Sequence, residues 1–322
     1  MPFLIALALG LVLTPALARL GPAVGLVDRP SEDALKIHTE PKPLTGGLAV
    51  AIAVLATVTI VDERPEAWVI GAIVLLLAVG VADDLTPLPP LVRLAPEVLA
   101  GLMLALAGVT FPPLDGVGRA AVVLAVPALV NAVNIVDGQD GLAGGLAAVA
   151  GAGLTLILAT DGGPGALGPA LVASLLAFLV WNRPPARVFL GDSGAYVVGG
   201  TLVLLAATAS RTWPDLLGAL VCLSVLWFEL ASTVVRRAVS RESLVSGDRD
   251  HVYDLLTVEL AGRTRSTLVM VAAGAVVAGL GVATAEAPPA LAVALAGATV
   301  AAEAVGVGVL WRAQRARTRR SH

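Results

Sequence analysis

Two amides and two carboxylates crowd the stretch Asn131-Ala-Val-Asn134-Ile-Val-Asp137-Gly138-Gln-Asp140-Gly141-Leu142, where one apolar run ends and the next begins. An ionised Asp at the centre of a bilayer costs roughly 3 kcal/mol on insertion scales, so acids cut into apolar sequence are functional candidates by default. Gly138 and Gly141 allow a tight backbone between the acids. The plainer alternative is a polar interhelical loop whose Asp and Asn serve as helix caps.

Four further clusters have comparable chemistry. Lys36-Ile-His38 precedes Pro43-Leu-Thr-Gly46-Gly47, and cationic donors beside a Gly-Gly helix entry suit a phosphate. Asp83-Asp84 follows an apolar run and is trailed by Pro87, Arg93 and Glu97. Adjacent carboxylates are stable together when a divalent cation, a nearby Arg or a shared proton offsets their repulsion; as helix caps they would need no metal. Asn182-Arg-Pro-Pro-Ala-Arg-Val-Phe189-Leu-Gly-Asp192-Ser-Gly194 sets an acid between glycines. Such a carboxylate can ligate Mg²⁺ already bound to a diphosphate, and Phe189 can offer its face to a nucleobase, although a Phe in a membrane protein is far more often packing. The last cluster runs from Arg236-Arg237 to Arg249-Asp-His251-Val-Tyr253-Asp254 and suits a lid that reads a substrate, or simply a solvated loop. Glu229 lies just before it, inside an apolar run and near arginines that could pair with it.

The elements that must position these residues are transmembrane helices. The chain has 322 residues, 57% hydrophobic and 14% charged, with mean hydropathy +0.89; no soluble core needs that much apolar sequence. Met1 to Leu20 has no basic residue before its apolar run and reads as a first span, not a cleaved leader. Apolar runs predict eleven spans, near 1–20, 46–61, 67–82, 96–111, 120–136, 142–160, 166–181, 195–210, 214–235, 266–285 and 289–311. With an external N-terminus, all of the 21 Lys and Arg except Arg64, Arg119 and Arg211 fall inside, a strong positive-inside signal. The inner segments 21–45, 83–95, 131–141, 182–193 and 236–265 then become five walls of one cytoplasm-facing cleft. The expected fold class is an all-α polytopic membrane helix bundle, a single domain over 1–322 with a basic cytoplasmic tail at 312–322. A lone cysteine, Cys222, excludes an intramolecular disulfide, and three histidines are too few for a His-built metal centre. Any metal should be hard and held by oxygen, as Mg²⁺ is.

Taken in order, these segments resemble the polyprenyl-phosphate N-acetylhexosamine-1-phosphate transferases, the superfamily that includes phospho-N-acetylmuramoyl-pentapeptide transferase. The family's Lys-x-His and Pro-x-x-Gly-Gly stand here as Lys36, His38, Pro43, Gly46 and Gly47, and its paired acids as Asp83 and Asp84. Its Asn-x-x-Asn-x-x-Asp-Gly-x-Asp-Gly-Leu is complete from Asn131 through Asn134, Asp137 and Asp140 to Leu142, and its Pro-Ala-x-x-Phe-x-Gly-Asp-x-Gly from Pro185 to Gly194. Its late His-rich motif is altered to His251-Val-Tyr253-Asp254, Pro87 and Glu97 replace a usual acid and Gln, and Ala195 stands where Ser is usual.

The resemblance implies that the phosphate of an undecaprenyl or decaprenyl lipid attacks the β-phosphate of a UDP-N-acetylhexosamine, giving polyprenyl-diphospho-sugar and UMP for cell-envelope glycan synthesis. It implies Mg²⁺, with Mn²⁺ as a substitute, held by Asp192; a uracil stacked on Phe189 and read by Asp140; a diphosphate near Asp137 and Lys36; and a lipid phosphate at Asp83 and Asp84. His38, Asn131, Asn134, Asn182, Arg249 and His251 complete the expected substrate-binding set. It places the enzyme in the plasma membrane, allows a homodimer and involves no nucleic acid. The Pro-Leu-x-Gly-Gly entry and the basic tail favour UDP-GlcNAc; a muramoyl-pentapeptide donor is the alternative. A lipid-binding or transporter-like relative without catalysis is a second class, but transporters place ionisable groups near the midplane, whereas these acids cluster at inner ends of spans.

Overall fold

Local rules set where the helices begin. Pro2 and Pro90 stand in first turns, where a missing N–H costs nothing. Thr212 and Asp215 close a reciprocal capping box, with Thr212 N donating to Asp215 Oδ2 at 2.9 Å. The computed structural model describes residues 1–30, 39–61, 66–160, 163, 165–240 and 250–318. Its helices are α1 (Pro2–Leu20), α2 (Gly46–Val61), α3 (Ala67–Leu85), α4 (Pro90–Leu106), α5 (Gly118–Val136), α6 (Leu142–Ala159), α7 (Leu167–Asn182), α8 (Gly191–Ala209), α9 (Trp213–Cys222), α10 (Ser224–Ser240), α11 (Val252–Glu259), α12 (Arg263–Glu286) and α13 (Pro289–Thr318). The fold is an all-α polytopic bundle, with one small antiparallel pair, β1 (Val27–Asp28) and β2 (Lys42–Pro43), in register Val27 opposite Pro43.

Seven helices among the described residues are long and apolar enough to cross a membrane, and the α9–α10 pair, bent by 66°, makes an eighth. Helices α2 and α7 have 16 residues each and α4 has 17. A 16-residue helix rises about 24 Å against a hydrocarbon core of roughly 30 Å, so these three fall short of a full crossing by length.

The structure corrects several boundaries. Asp83 and Asp84 sit in the last turn of α3, and Asp192 in the first turn of α8, not in the connections. Helix α4 starts six residues before the expected span, so Arg93 and Glu97 ride on it. The run 214–235 is two helices broken at Leu223. The expected long inner loop contains α11, and α10 and α12 extend into it from either side; the tail is helical to Thr318. At the ends of α10 and α13, Arg and Ala continue the helix past its apolar stretch, which hydropathy alone does not register.

Helix α8 is the hub. It is buried over almost its whole length, and its neighbours approach it at small residues. A Cβ added to Gly47 of α2 would meet Gly194 N at 2.1 Å, one on Gly80 of α3 would meet Ser193 Cα at 2.4 Å, and one on Gly199 would meet Val130 Cα of α5 at 2.6 Å. Lipid tails are as apolar as leucine, so helices in a bilayer associate through such close backbone contact and not through hydrophobic exclusion. A continuous apolar core around α8 draws on α2 to α7 and α9 to α12.

The Gly47–Gly194 crossing is backbone against backbone, so no side chain can swing aside. Gly47→Ala is expected to destabilise the detergent-solubilised protein by about 3 kcal/mol or more, the upper end for overpacking; thermal unfolding equal to wild type would contradict the crossing.

Candidate active site

A cavity of about 1140 Å³ opens where the C-terminal ends of α3, α5 and α7 meet the start of α8, the strand pair and the α10–α11 region. All the described residues of the expected site line it: Asp83, Asp84, Asn131, Asn134, Asp137, Asp140, Asn182, Phe189, Asp192 and His251. Lys36, His38 and Arg249 lie outside the described residues.

The paired acids part company. Asp83 Oδ1 accepts from Leu88 N at 2.7 Å, and its Oδ2 accepts from Arg93 Nη1 at 3.3 Å and Tyr196 Oη at 3.2 Å. Asp84 turns the other way: its Oδ1 accepts from Asp192 N at 2.8 Å and its Oδ2 from Ser193 N at 3.0 Å. Repulsion between neighbours is thus relieved by a guanidinium on one side and by the positive N-terminus of α8 on the other. Asp84 is therefore a helix cap supplied by another helix, which puts the cap interpretation of this residue on firm geometric ground.

The central motif closes the next wall. Asn131 Nδ2 donates to Glu97 Oε2 at 3.2 Å and to Pro127 O at 2.7 Å; Asn134 Nδ2 donates to Asp192 Oδ1. Asp137 Oδ2 accepts from Gly191 N at 3.2 Å. Burial first, and then the charges of Asp192 and Asp84, push the Asp137 carboxyl well above the usual carboxylate range. Gly141 takes φ +76°, the left-handed region that favours glycine, and donates its N–H to Asn182 Oδ1 at 2.9 Å. Asn182 Nδ2 donates to Val188 O at 2.9 Å and Asp140 Oδ2 accepts from Ala186 N at 2.8 Å. Both ends of the Asn182 amide thus tie the α7–α8 connection to the central motif.

Phe189 is placed by main chain. Its N–H donates to Pro43 O at 2.9 Å, its carbonyl accepts from Gly46 N at 3.0 Å, and Gly47 N reaches Leu190 O at 2.8 Å. The strand pair and the Gly-Gly entry of α2 therefore hold the aromatic at the cavity wall.

Glu229, expected near arginines, lies within reach of the charge of Arg236, and its two oxygens accept from Val252 N at 3.2 Å and Tyr253 N at 3.1 Å, the first turn of α11. That fixes His251, whose Nδ1 is 3.0 Å from Thr233 Oγ1 and whose ring stacks on Tyr253 with centroids 5.3 Å apart. The Tyr253 hydroxyl fills the space where Gly138 lacks a Cβ, at 2.2 Å from where that atom would stand. Sequence reasoning missed Tyr196 and Gln139. Tyr196 stands in an apolar run with no polar neighbour to mark it, and Gln139 sits between the two acids of the central motif, where its amide bridges Thr257, Arg263 O and Thr267.

Among the described residues no group of three His, Cys, Asp or Glu is arranged to hold a metal by itself. Mg²⁺ asks for less, since it keeps waters and takes one or two carboxylates plus substrate phosphates. Asp137 and Asp192 are mutually repelling oxygen donors on the cavity wall, a donor set that fits such an ion.

Residues 67–210 match the family described as Glycosyl transferase family 4. The chain is 28% identical over 289 residues to the probable undecaprenyl-phosphate N-acetylglucosaminyl 1-phosphate transferase of Bacillus subtilis, covering 83% of this chain and 80% of that protein. It is 29% identical over 283 residues to the undecaprenyl-phosphate alpha-N-acetylglucosaminyl 1-phosphate transferase of Escherichia coli K12, covering 80% and 76%. The decaprenyl-phosphate N-acetylglucosaminephosphotransferase of Mycobacterium tuberculosis H37Rv is 28% identical over 272 residues, 68% and 66% of the two chains.

Removing the Glu229 carboxylate leaves two buried N–H groups without an acceptor, at about 1–3 kcal/mol for each. Glu229→Ala is expected to lower stability accordingly and to speed hydrogen exchange at Val252 and Tyr253; unaltered exchange at both amides would remove the cap.

Proposed function

We propose that the chain is a member of the polyprenyl-phosphate N-acetylhexosamine-1-phosphate transferase superfamily, a reading supported by the match of residues 67–210 and by the likeness to GlcNAc-1-phosphate transferases, and that it transfers GlcNAc-1-phosphate from UDP-GlcNAc to a membrane polyprenyl phosphate. An oxygen of the lipid phosphate attacks the β-phosphorus, the bond from that phosphorus to the bridging oxygen breaks, and UMP leaves with the bridging oxygen. The observation that supports this most is the convergence of Asp83, Asp84, Asp137, Asp140, Phe189 and Asp192 from three separate chain segments on one cavity. With basic residues gathered on the same side as these segments, we place the cavity at the cytoplasmic leaflet.

The residues divide the work by chemistry. Phe189 offers a ring to the uracil and Asp140 the hydrogen-bonding edge beside it. Asp192, fixed by Asn134, and Asp137 would hold Mg²⁺ against the diphosphate; that ion, when bound, neutralises charge on the phosphates. Arg93 and Lys42, both on the cavity wall, add fixed positive charge where anions must meet.

Asp83 acts by position. A phosphate monoester has its second pKa near about 6, so the acceptor is largely ionised already and the barrier lies in bringing anions together. The oxygens of Asp83 already accept from Leu88, Arg93 and Tyr196; it orients the guanidinium that meets the lipid phosphate.

Purified protein offered UDP-GlcNAc and UDP-MurNAc-pentapeptide, each with undecaprenyl phosphate and Mg²⁺, is expected to release UMP from the first. Product from the second donor alone would overturn the assignment. Asp192→Asn keeps size and removes charge, so turnover should fall roughly 100-fold or more with the fold intact, and unchanged turnover would make the residue structural. For Asp83→Asn the expected loss is large and persists as pH rises; recovery at high pH would instead favour a general base.

A further inference from the structure

A smaller hollow of about 220 Å³ adjoins the main cavity, walled by Val180, Trp181, Arg183, Pro184, Pro185 and Arg187. Pro185 belongs to both walls. The hollow is below the roughly 300–1,000 Å³ typical of sites for drug-sized ligands, so it suits a compact group and not a nucleotide sugar. Arg183 and Arg187 are exposed, and neither pairs with an acid among the described residues. Two guanidiniums thus flank one small concavity at the end of α7, with Trp181 in its wall.

The approach to it is apolar. Leu176 and Val180 are exposed on α7 at 42% and 48%, and their i, i+4 spacing sets them on one face. Continuing that face by three residues reaches Arg183. An apolar stripe that ends in two guanidiniums matches a lipid, with chains along the helix and phosphate at its end; Trp and Arg are the side chains that suit a bilayer surface. Guanidinium forks take two phosphate oxygens at once.

We propose that this hollow binds the phosphate of an anionic membrane lipid, with an acyl chain lying along Leu176 and Val180. The site is separate from the sugar-phosphate transfer reaction and requires only that the end of α7 meet the bilayer surface. The bound headgroup holds the Pro184–Pro185 segment from outside the main cavity, whose wall that segment shares.

The test is lipid retention by the full chain, followed by native mass spectrometry while phosphatidylglycerol is titrated into phosphatidylcholine nanodiscs. A cation near an anionic leaflet contributes about 1 kcal/mol, so Arg183→Gln should weaken retention roughly 5-fold and Arg183→Gln with Arg187→Gln roughly 30-fold. The double Arg→Lys variant, with charge but no fork, should lie between wild type and the double Gln variant. Displacement of the lipid by inorganic phosphate at equal concentration would make the ligand a free anion and overturn the lipid assignment. Equal loss from Arg263→Gln with Arg265→Gln, or wild-type retention by the double Arg→Lys variant, would reduce the effect to diffuse surface charge and overturn the hollow as its seat.

Discussion

Helix α8 begins inside the protein, with its first N–H groups facing neither lipid nor open water, and the carboxylate of Asp84 from α3 accepts two of them. Unsatisfied helix termini are costly in a low-dielectric surrounding, and the positive end of the helix in turn tolerates the buried charge. Much of the molecule is arranged around this contact. It fixes Asp192 at the cavity, and it docks α3 where Gly80 lets the two backbones touch. The same solution recurs at α11, whose first turn is closed by Glu229 from α10. Two carboxylates that read as chemistry thus anchor the walls on which chemistry is displayed.

The cavity is consequently rich in acids held in different ways. Asp83 is matched by Arg93, Asp84 by backbone N–H groups, Asp140 by Ala186 N, and Asp137 by a single N–H from Gly191. Asp137 still faces the charges of Asp192, Asp84 and Asp140, and Asp192 that of Asp83. Negative charge is thus shared among several carboxylates of the cavity and not confined to one pair.

Much of this was legible in the sequence. Long apolar runs gave the helices, and the five polar segments between them marked the cavity, because polar residues in lipid need partners and their partners are each other. What the sequence left open was direction. Adjacent Asp83 and Asp84 look equivalent, but at the end of a helix they diverge by about 100°, enough to send one to Arg93 and the other to α8. Arginines near Glu229 were legible, but its two main-chain partners were not, since the one-dimensional pattern records which charges are near in sequence and not which N–H groups a following helix exposes. The 66° break at Leu223 lies in an apolar stretch, 219 to 223, without glycine or proline to mark it.

The frame behind Phe189 has a consequence for how such a site can change over time. Pro43, Gly46 and Gly47 meet residues 189 and 190 through main-chain hydrogen bonds, so the shape of that wall is encoded by backbone and by the two glycines that admit so close an approach. His251 and Tyr253 belong to a separately capped segment of the cavity lining. The frame and the side chains that it displays are therefore different atoms: the side chains can drift by single substitutions while the scaffold that presents them stays put, which gives a lineage room to vary the lining of the cavity without first having to refold.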